Sequence, residues 1–338
     1  MAHLLLDFAR RAPPPSNGAT DASFDGVATF DGIATYQGMV CAWECDENAH
    51  MNVQFYVAKI DEAARVFFLM HGLSHPTLEE QGLSISPRTT HCRYHKELHA
   101  GALVSVKTHA THVSPDKLVL CHVLRDGASG DTAATLVVRY NLQKSRGQTI
   151  PWSEAHCAAF ERVKGLLPHA ALARSIAQDE APAPLTLAAS LELPLFDIFR
   201  GIVQTSHCCA QGFMRSQFLM GRISDGAGHL WQTVGFDRYR LVADNLGTVV
   251  LETRVDFYQP VTAGQGLIIR SALLAVTGRT LHYRHFIFDM ETGEQVGGGE
   301  VVALLLDMET RKSVPLTPED IERLTPHIVS LPTHTEVS

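Results

Sequence analysis

The feature that most constrains this chain is an internal repeat. Sliding the sequence by 163 positions (201 − 38) brings Gly201 onto Gly38, Val203 onto Val40, Met214 onto Met51, Gln217 onto Gln54 and Phe218 onto Phe55. The same shift places Arg222 on Lys59, Ile223 on Ile60, Gly235 on Gly72 and, further along, Gly264 on Gly101. A period this long holds a whole domain. The 338 residues therefore read as two units of one architecture, joined head to tail.

Within the first unit, Gly38 to Trp43 reads as a strand running into the turn Cys45-Asp46-Glu47-Asn48. A helix is expected from about His50 to about His71. Its apolar positions Val53, Tyr56, Val57, Ile60, Ala63, Ala64, Phe67 and Phe68 recur at a helical period. Asn48 or Asp46 is placed to cap it, and Gly72 to end it. Four strand-like stretches follow: Leu83 to Glu97, Ala102 to Val113, Leu118 to Arg125 and Ala133 to Asn141, separated by clear turn residues. The second unit repeats them as Thr248 to Tyr258, Leu267 to Val276, Thr280 to Asp289 and Gly299 to Leu306. Short turns between successive strands predict mostly antiparallel pairing with one helix packed on the strands, an α+β class. The expected division is a first domain over 24–142, a connection over 143–192 with a helix from Trp152 to Leu167, and a second domain over 193–320. Ala12 to Ser23 reads as a flexible lead-in. Gly221, Gly226 and Gly228 are expected to weaken the second unit's helix.

Bulk properties narrow the function. The chain is 45% hydrophobic, enough to fill two cores, and its net charge is −8 with no basic run, which argues against a nucleic-acid partner. Seven cysteines, an odd number without a C-x-x-C pair, fit free thiols in a reducing, cytoplasmic setting. The longest later apolar run, Val301 to Leu306, is far too short for a membrane span.

The chemistry concentrates in Trp43-Glu44-Cys45-Asp46-Glu47-Asn48-Ala49-His50-Met51-Asn52-Val53-Gln54-Phe55-Tyr56, where strand passes into helix. A helix start presents unpaired N–H groups and a positive dipole end, which suit a developing oxyanion. Asp46 beside it is the candidate base or nucleophile, and Asn48, His50 and Asn52 are candidate donors. Asp46 and Asn48 also suit a plain helix cap, and His50 and Tyr56 suit a core. Eighteen histidines include His91, His95 and His99, but on a strand residues four apart lie about 13 Å apart and cannot share one metal. Cys45, Cys208 and Cys209 read as small buried thiols.

The pattern Asp46-x-Asn48-x-His50-x-Asn52, followed by Tyr56, resembles the signature of hotdog thioesterases. The Cys45-Asp46 step resembles the 4-hydroxybenzoyl-CoA thioesterases, and the full pattern resembles the acyl-ACP thioesterases, which are single-chain double hotdogs. His50-Met51-Asn52-Val53 also resembles bacterial thioesterases linked to carnitine and betaine metabolism. The resemblance implies a double hotdog, two antiparallel sheets each wrapped around a long central helix. It implies cleavage of an acyl-CoA or acyl-carrier-protein ester by Asp46, His50, Asn48 and Asn52. Tyr56, Phe55, Gln217, Arg88 and Arg93 are the candidate substrate-binding residues, with Lys59 near the acyl group; Arg88, Arg93, Lys96, Lys107 and Arg254 are candidate cations for phosphate, although a solvated sheet face is the default reading for them. No metal or cofactor is expected beyond coenzyme A as part of the substrate.

Two departures stand out. Plant acyl-ACP thioesterases carry the motif in the second hotdog, whereas here it is in the first, and Ala49 fills a place where glycine is common. Cys209, Phe213 and Arg215 replace Asp46, His50 and Asn52 in the second unit, so one active site per chain is expected. An enoyl-CoA hydratase is the competing enzyme reading, but its histidine stands five after the acid, behind a proline. A non-catalytic acyl-binding protein is the other alternative. Expected partners are the acyl substrate and a second copy of the chain in a homodimer, with no nucleic acid and no membrane.

Overall fold

The computed structural model describes residues 31–144, 147–178 and 183–331. The expected lead-in, Ala12 to Ser23, and the first residues of the domain placed at 24–142 lie outside the described residues. The chain divides into two units, Met1–Leu172 and Ala173–Ser338. This division falls inside the stretch expected to connect the domains.

The first unit contains β1 (Ile33–Met39), α1 (Val53–Met70), α2 (His75–Glu80), β2 (Leu83–Tyr94), β3 (Leu103–Ser114), β4 (Lys117–Asp126), β5 (Thr132–Lys144), β6 (Thr149–Ile150) and α3 (Glu154–Glu161). Its strands follow the order β1-β3-β4-β5-β2, all antiparallel, with β6 added to β5. Helix α1 packs on β1 and β3. It buries Tyr56, Val57, Ile60, Ala63, Ala64, Phe67 and Phe68, the stripe that the helical period marks out. Gly72 ends it: at φ 80° its N–H reaches the Leu69 carbonyl (3.1 Å), while Leu73 N–H reaches that of Phe68 (2.9 Å). Only glycine takes that left-handed turn without strain. The connection helix is shorter than expected, α3 rather than Trp152 to Leu167. It joins the first unit through Phe160, which stacks on Phe67 (5.8 Å), and through Trp152, which stacks on Phe68 (6.1 Å).

The second unit contains α4 (Leu187–Leu191), β7 (Phe196–Ile202), α5 (Ser216–Thr233), α6 (Arg238–Ala243), β8 (Leu246–Phe257), β9 (Gly266–Val276), β10 (Thr280–Asp289), β11 (Gln295–Asp307), β12 (Ser313–Val314) and α7 (Pro318–Leu324). Its strand order, β7-β9-β10-β11-β8 with β12 on β11, is that of the first unit. The 163-residue offset holds for the start of each main element, as in α5 against α1 (216 − 53). Gly235, at φ 83°, ends α5 as Gly72 ends α1. The three glycines do not shorten α5, which keeps 18 residues. At Gly226 a Cβ would stand 2.9 Å from the Ile198 carbonyl oxygen, so glycine lets α5 lie close on β7. Gly38 and Gly201 recur for a similar reason. A Cβ there would meet the Tyr36 hydroxyl (2.5 Å) or the Phe199 ring (2.8 Å). No helix among the described residues is long and apolar enough to cross a membrane.

One buried polar pair is also duplicated. His122 Nδ1 lies 2.8 Å from Thr108 Oγ1, and 163 residues on His285 Nδ1 lies 2.7 Å from Ser271 Oγ. Burial disfavours the imidazolium, pushing His122 down to about 3 and His285 to about 4. In the unfolded chain both take up protons near pH 6.5, so acid favours unfolding. Stability should therefore fall as pH drops below about 6.5, by up to about 1.4 kcal/mol per pH unit for each histidine. Urea midpoints at pH 7 and pH 5 test this: His122→Gln should narrow the gap between them, and an unchanged gap would reject the assignment.

Candidate active site

The Asp46 motif is not the first turn of the helix. Residues 45–51 form a closed turn of their own: Cys45 and Met51 pair as an antiparallel bridge, Asp46 N–H donates to the His50 carbonyl (3.0 Å), and Ala49 N–H donates to that of Asp46 (2.9 Å). Helix α1 starts two residues later, with Asn52 as its cap. This corrects the expected start near His50 and the capping assigned to Asp46 or Asn48. Ala49 sits at φ 61°, the conformation glycine favours, which accounts for the unusual alanine being the strained residue of the turn. In the second unit that position is Gly212, at φ 82°.

The turn is docked on both sides. Asn52 N–H donates to the Glu44 carbonyl (2.9 Å) and Met51 N–H to that of Leu98 (2.7 Å). His99 Nδ1 lies 2.8 Å from the Ala49 carbonyl oxygen, so this histidine braces the turn. Beneath it Lys59 is buried, 2.9 Å from both Glu44 carboxylate oxygens and 3.1 Å from the Met39 carbonyl. Lys59 thus ties Glu44, at the near side of the turn, to the end of β1.

Within this frame Asp46 faces His50, with Oδ2 at 3.4 Å from Nε2, and the opposite nitrogen, Nδ1, lies 3.2 Å from Glu97 Oε1. An imidazole thus stands between two carboxylates. Asp46 Oδ1 accepts the Asn48 N–H (3.0 Å), and the His50 N–H also donates to this carboxylate. Burial still dominates and holds the Asp46 carboxyl above the usual range, against the opposing pull of His50 and these amides. Asn48 is buried beside it.

Glu97 is the residue that sequence reasoning missed. It lies beyond the end of β2, 51 positions from Asp46 (97 − 46), and no local pattern ties the two together. A comparison of the repeats does mark it. Pro260 stands at the corresponding place (97 + 163), so Glu97 is lost from the second unit together with Asp46 and His50.

The other expected residues divide. Asn52 spends its side-chain oxygen on the Gln54 N–H (3.0 Å). Phe55 N–H donates to the Asn52 carbonyl (2.9 Å), so two of the first helical amides are already engaged. This narrows the helix-start oxyanion site that the sequence suggested. Tyr56 is buried edge-on against Tyr94 (5.1 Å), and its hydroxyl donates to the Lys96 carbonyl (3.4 Å). Phe55 is half-buried on the first turn of α1, and Gln217 is half-buried on the first turn of α5 in the second unit. Arg88 is the extra residue of a bulge in β2. Arg93 donates to the Leu172 carbonyl (2.7 Å) and so ties down the chain after α3. Lys96 pairs with Asp126 (2.8 Å) and Asp131 (3.0 Å), Lys107 with Asp31, and Arg254 with Asp256 (3.0 Å). All seven cysteines are free, and burial raises the Cys45 thiol, which does not favour a thiolate nucleophile.

Comparison with known proteins agrees with this architecture. The family model of the thioesterase-like superfamily matches twice, over residues 40–160 and 203–324. Among solved structures, the chain is similar to a protein described as an oleoyl thioesterase from Lactobacillus plantarum, with a TM-score of 0.61 and 12% identity over 80% of this chain and 94% of that one. It is also similar to an acyl-ACP thioesterase from Bacteroides thetaiotaomicron (0.58, 11%, 79% and 96%) and to the 12:0-ACP thioesterase from Umbellularia californica (0.58, 9%, 79% and 92%). No curated protein matches in sequence.

The raised Asp46 has a consequence for stability. Its folded value lies above the unfolded one, so the stability it contributes is present at acid pH and is lost as pH rises through the folded value. At pH 7 the ionised carboxylate therefore destabilises the fold. Asp46→Asn should melt at a higher temperature than wild type at pH 7, with the difference closing towards pH 4. A variant that melts lower at pH 7 would refute the burial argument.

Proposed function

The chain belongs to the thioesterase-like superfamily, and on that premise we propose that its first unit hydrolyses an acyl thioester to free acid and thiol, with Asp46 as general base. The double-hotdog arrangement, with each unit's strands wrapped around its own long helix, belongs to the same reading. The observation that carries the proposal is the line Asp46–His50–Glu97, a partly buried carboxylate, an imidazole and a second carboxylate at 3.4 and 3.2 Å. The solved structures it resembles are named for oleoyl and acyl-ACP substrates, which supports a fatty acyl group carried on acyl-carrier protein or coenzyme A.

Asp46 takes a proton from water, and the water oxygen attacks the thioester carbonyl carbon. Burial suits the carboxylate to this, because a raised proton affinity makes it a stronger base. The oxyanion lies at the positive end of α1, where the Val53 amide precedes the two that Asn52 engages. The C–S bond then breaks, and the thiolate takes a proton from His50, which Asp46 replenishes. Glu97 Oε1, 3.2 Å from the opposite imidazole nitrogen, adds negative charge beside His50, and Asn48 is buried next to Asp46. A water-attack route suits an Asp46 whose Oδ1 is already held by the Asn48 amide.

Thiol release from a panel of short, branched, aromatic and long acyl-CoAs and the matching acyl-ACPs tests this. Wild type should turn over at least one. In Asp46→Asn, kcat/KM should fall by about 100-fold or more, the usual contribution of a general base. The base must be ionised, so wild-type kcat/KM should decline as pH drops through the Asp46 value, above the ordinary carboxylate range. That limb should be absent from the variant. A single turnover in 18O water that labels Asp46 would replace the general base by a covalent route. Full activity in Asp46→Asn would remove Asp46 from the chemistry.

A further inference from the structure

The second unit keeps the turn and reverses its charge. Cys208 and Met214 pair as Cys45 and Met51 do, Cys209 N–H donates to the Phe213 carbonyl (2.8 Å), and Gly212 N–H donates to that of Cys209 (2.9 Å). Arg215 N–H still reaches the His207 carbonyl (2.9 Å) and Met214 N–H that of Val261 (2.7 Å). On this unchanged backbone no carboxylate remains at the places of Glu44, Asp46, Glu47 and Glu97, where His207, Cys209, Ala210 and Pro260 now stand. Arg215 replaces Asn52 and Arg222 replaces Lys59.

Each guanidinium lies over an aromatic ring near His207. Arg215 lies over the Phe218 ring (5.1 Å), the His207 ring stacks on the same phenyl (4.5 Å), and Arg222 lies over Phe199 (5.3 Å). Burial first, and then Arg222 and Arg215, hold the His207 imidazole below its usual value, so both cations bear on it. Asp225 opposes them through its pair with Arg222 Nη1 (2.8 Å), and Arg215 Nη2 donates to the Ser206 carbonyl (2.9 Å). The Nε atoms of both arginines are buried and meet no acceptor.

The helix adds a second argument. Asn52 caps α1 with its side chain, but Arg215 at the same place gives α5 no side-chain cap. It puts a cation at the positive end of an 18-residue helix, an unfavourable arrangement that a bound anion reverses. The whole chain carries −8, so a paired-arginine patch is not a by-product of a basic surface.

We propose that the second unit's turn is a binding site for an oxyanion, held by the forked N–H groups of Arg215 and Arg222. With cysteine at the place of the base and phenylalanine at that of the histidine, it binds without hydrolysing. An oxyanion of this kind is offered by the carboxylate of a released acid or by a phosphate of the thiol carrier. The site itself does not depend on thioester hydrolysis, although this pair of sources rests on that reading.

Isothermal titration of the full chain with decanoate and with coenzyme A tests the site, with decanol as a neutral control. The variants are Arg222→Gln and Arg215→Asn, the second restoring the cap that α1 already uses so that the fold is kept. One anion should saturate in wild type, and which one identifies the source. Its Kd should rise on the order of tenfold or more in each variant, as expected for loss of a charge-assisted bond, while any binding of decanol stays unchanged. Arg215→Asn should also melt at a higher temperature than wild type. Absence of saturable binding by either anion, or equal Kd values in wild type and both variants, would overturn the proposal. Heat of binding is read without turnover, so a chain inactive on every thioester can still pass or fail.

Discussion

The antiparallel closure of a seven-residue turn is the constraint on which the rest depends. Cys45 and Met51 pair across its neck, and main-chain bonds to Glu44 and Leu98 fix it on both sides. These contacts fix the turn ahead of α1 and set the direction in which Asp46 and His50 point. None of them uses a side chain of the motif. The second unit proves the point with Cys208, Met214 and Val261, which form the same bonds around different residues. Backbone shape and chemistry are therefore separable here, and the chain holds one frame in two chemical states.

Asp46 shows what the proposed chemistry costs the fold. Its carboxylate accepts two amides from its own turn and faces an imidazole, yet burial still outweighs them. A turn built only for stability would have placed a neutral cap here, as Asn52 does for α1. Ala49 adds a second cost, because it holds a left-handed conformation that Gly212 accepts freely. Strain and a desolvated charge in one short segment are common at sites where geometry serves reactivity.

Much of the fold was legible because periodicity and punctuation are local signals. The α1 stripe from Tyr56 to Phe68, the terminating Gly72 and the hairpin turns all act within a few residues, and the later strands came out within a few positions, whereas the strand expected from Gly38 to Trp43 is in fact Ile33–Met39, with Ala42–Glu44 forming a 3-10 turn. The 163-residue offset carried these readings from one unit to the next. Asp46, Asn48 and His50 were legible as a cluster because they share one turn. The helix start was misplaced because Asp and Asn serve equally as caps and as turn formers. Here Asp46 accepts from its own turn, and Asn52 does the capping. Glu97 and the buried Glu44–Lys59 pair were not legible, since each depends on contacts formed only when distant segments meet.

The repeat nevertheless contained the missing information. A residue kept for the fold should have a like residue 163 positions on, as Thr108 and His122 have in Ser271 and His285. A residue that serves the chemistry proposed for the first unit should not. Asp46, His50 and Glu97 all fall in the second class, with Cys209, Phe213 and Pro260 opposite them, and they meet in space. Lys59 and Glu44 fall between the two classes. Arg222 preserves the cation over an aromatic ring, while His207 abandons the acid. The cation over the ring thus belongs to the shared frame. The carboxylate that neutralises it, Glu44, belongs with the acidic turn of the first unit. With those acids gone Arg222 pairs with Asp225 on its own helix instead, and the same main chain carries an acidic turn in one unit and two arginines in the other.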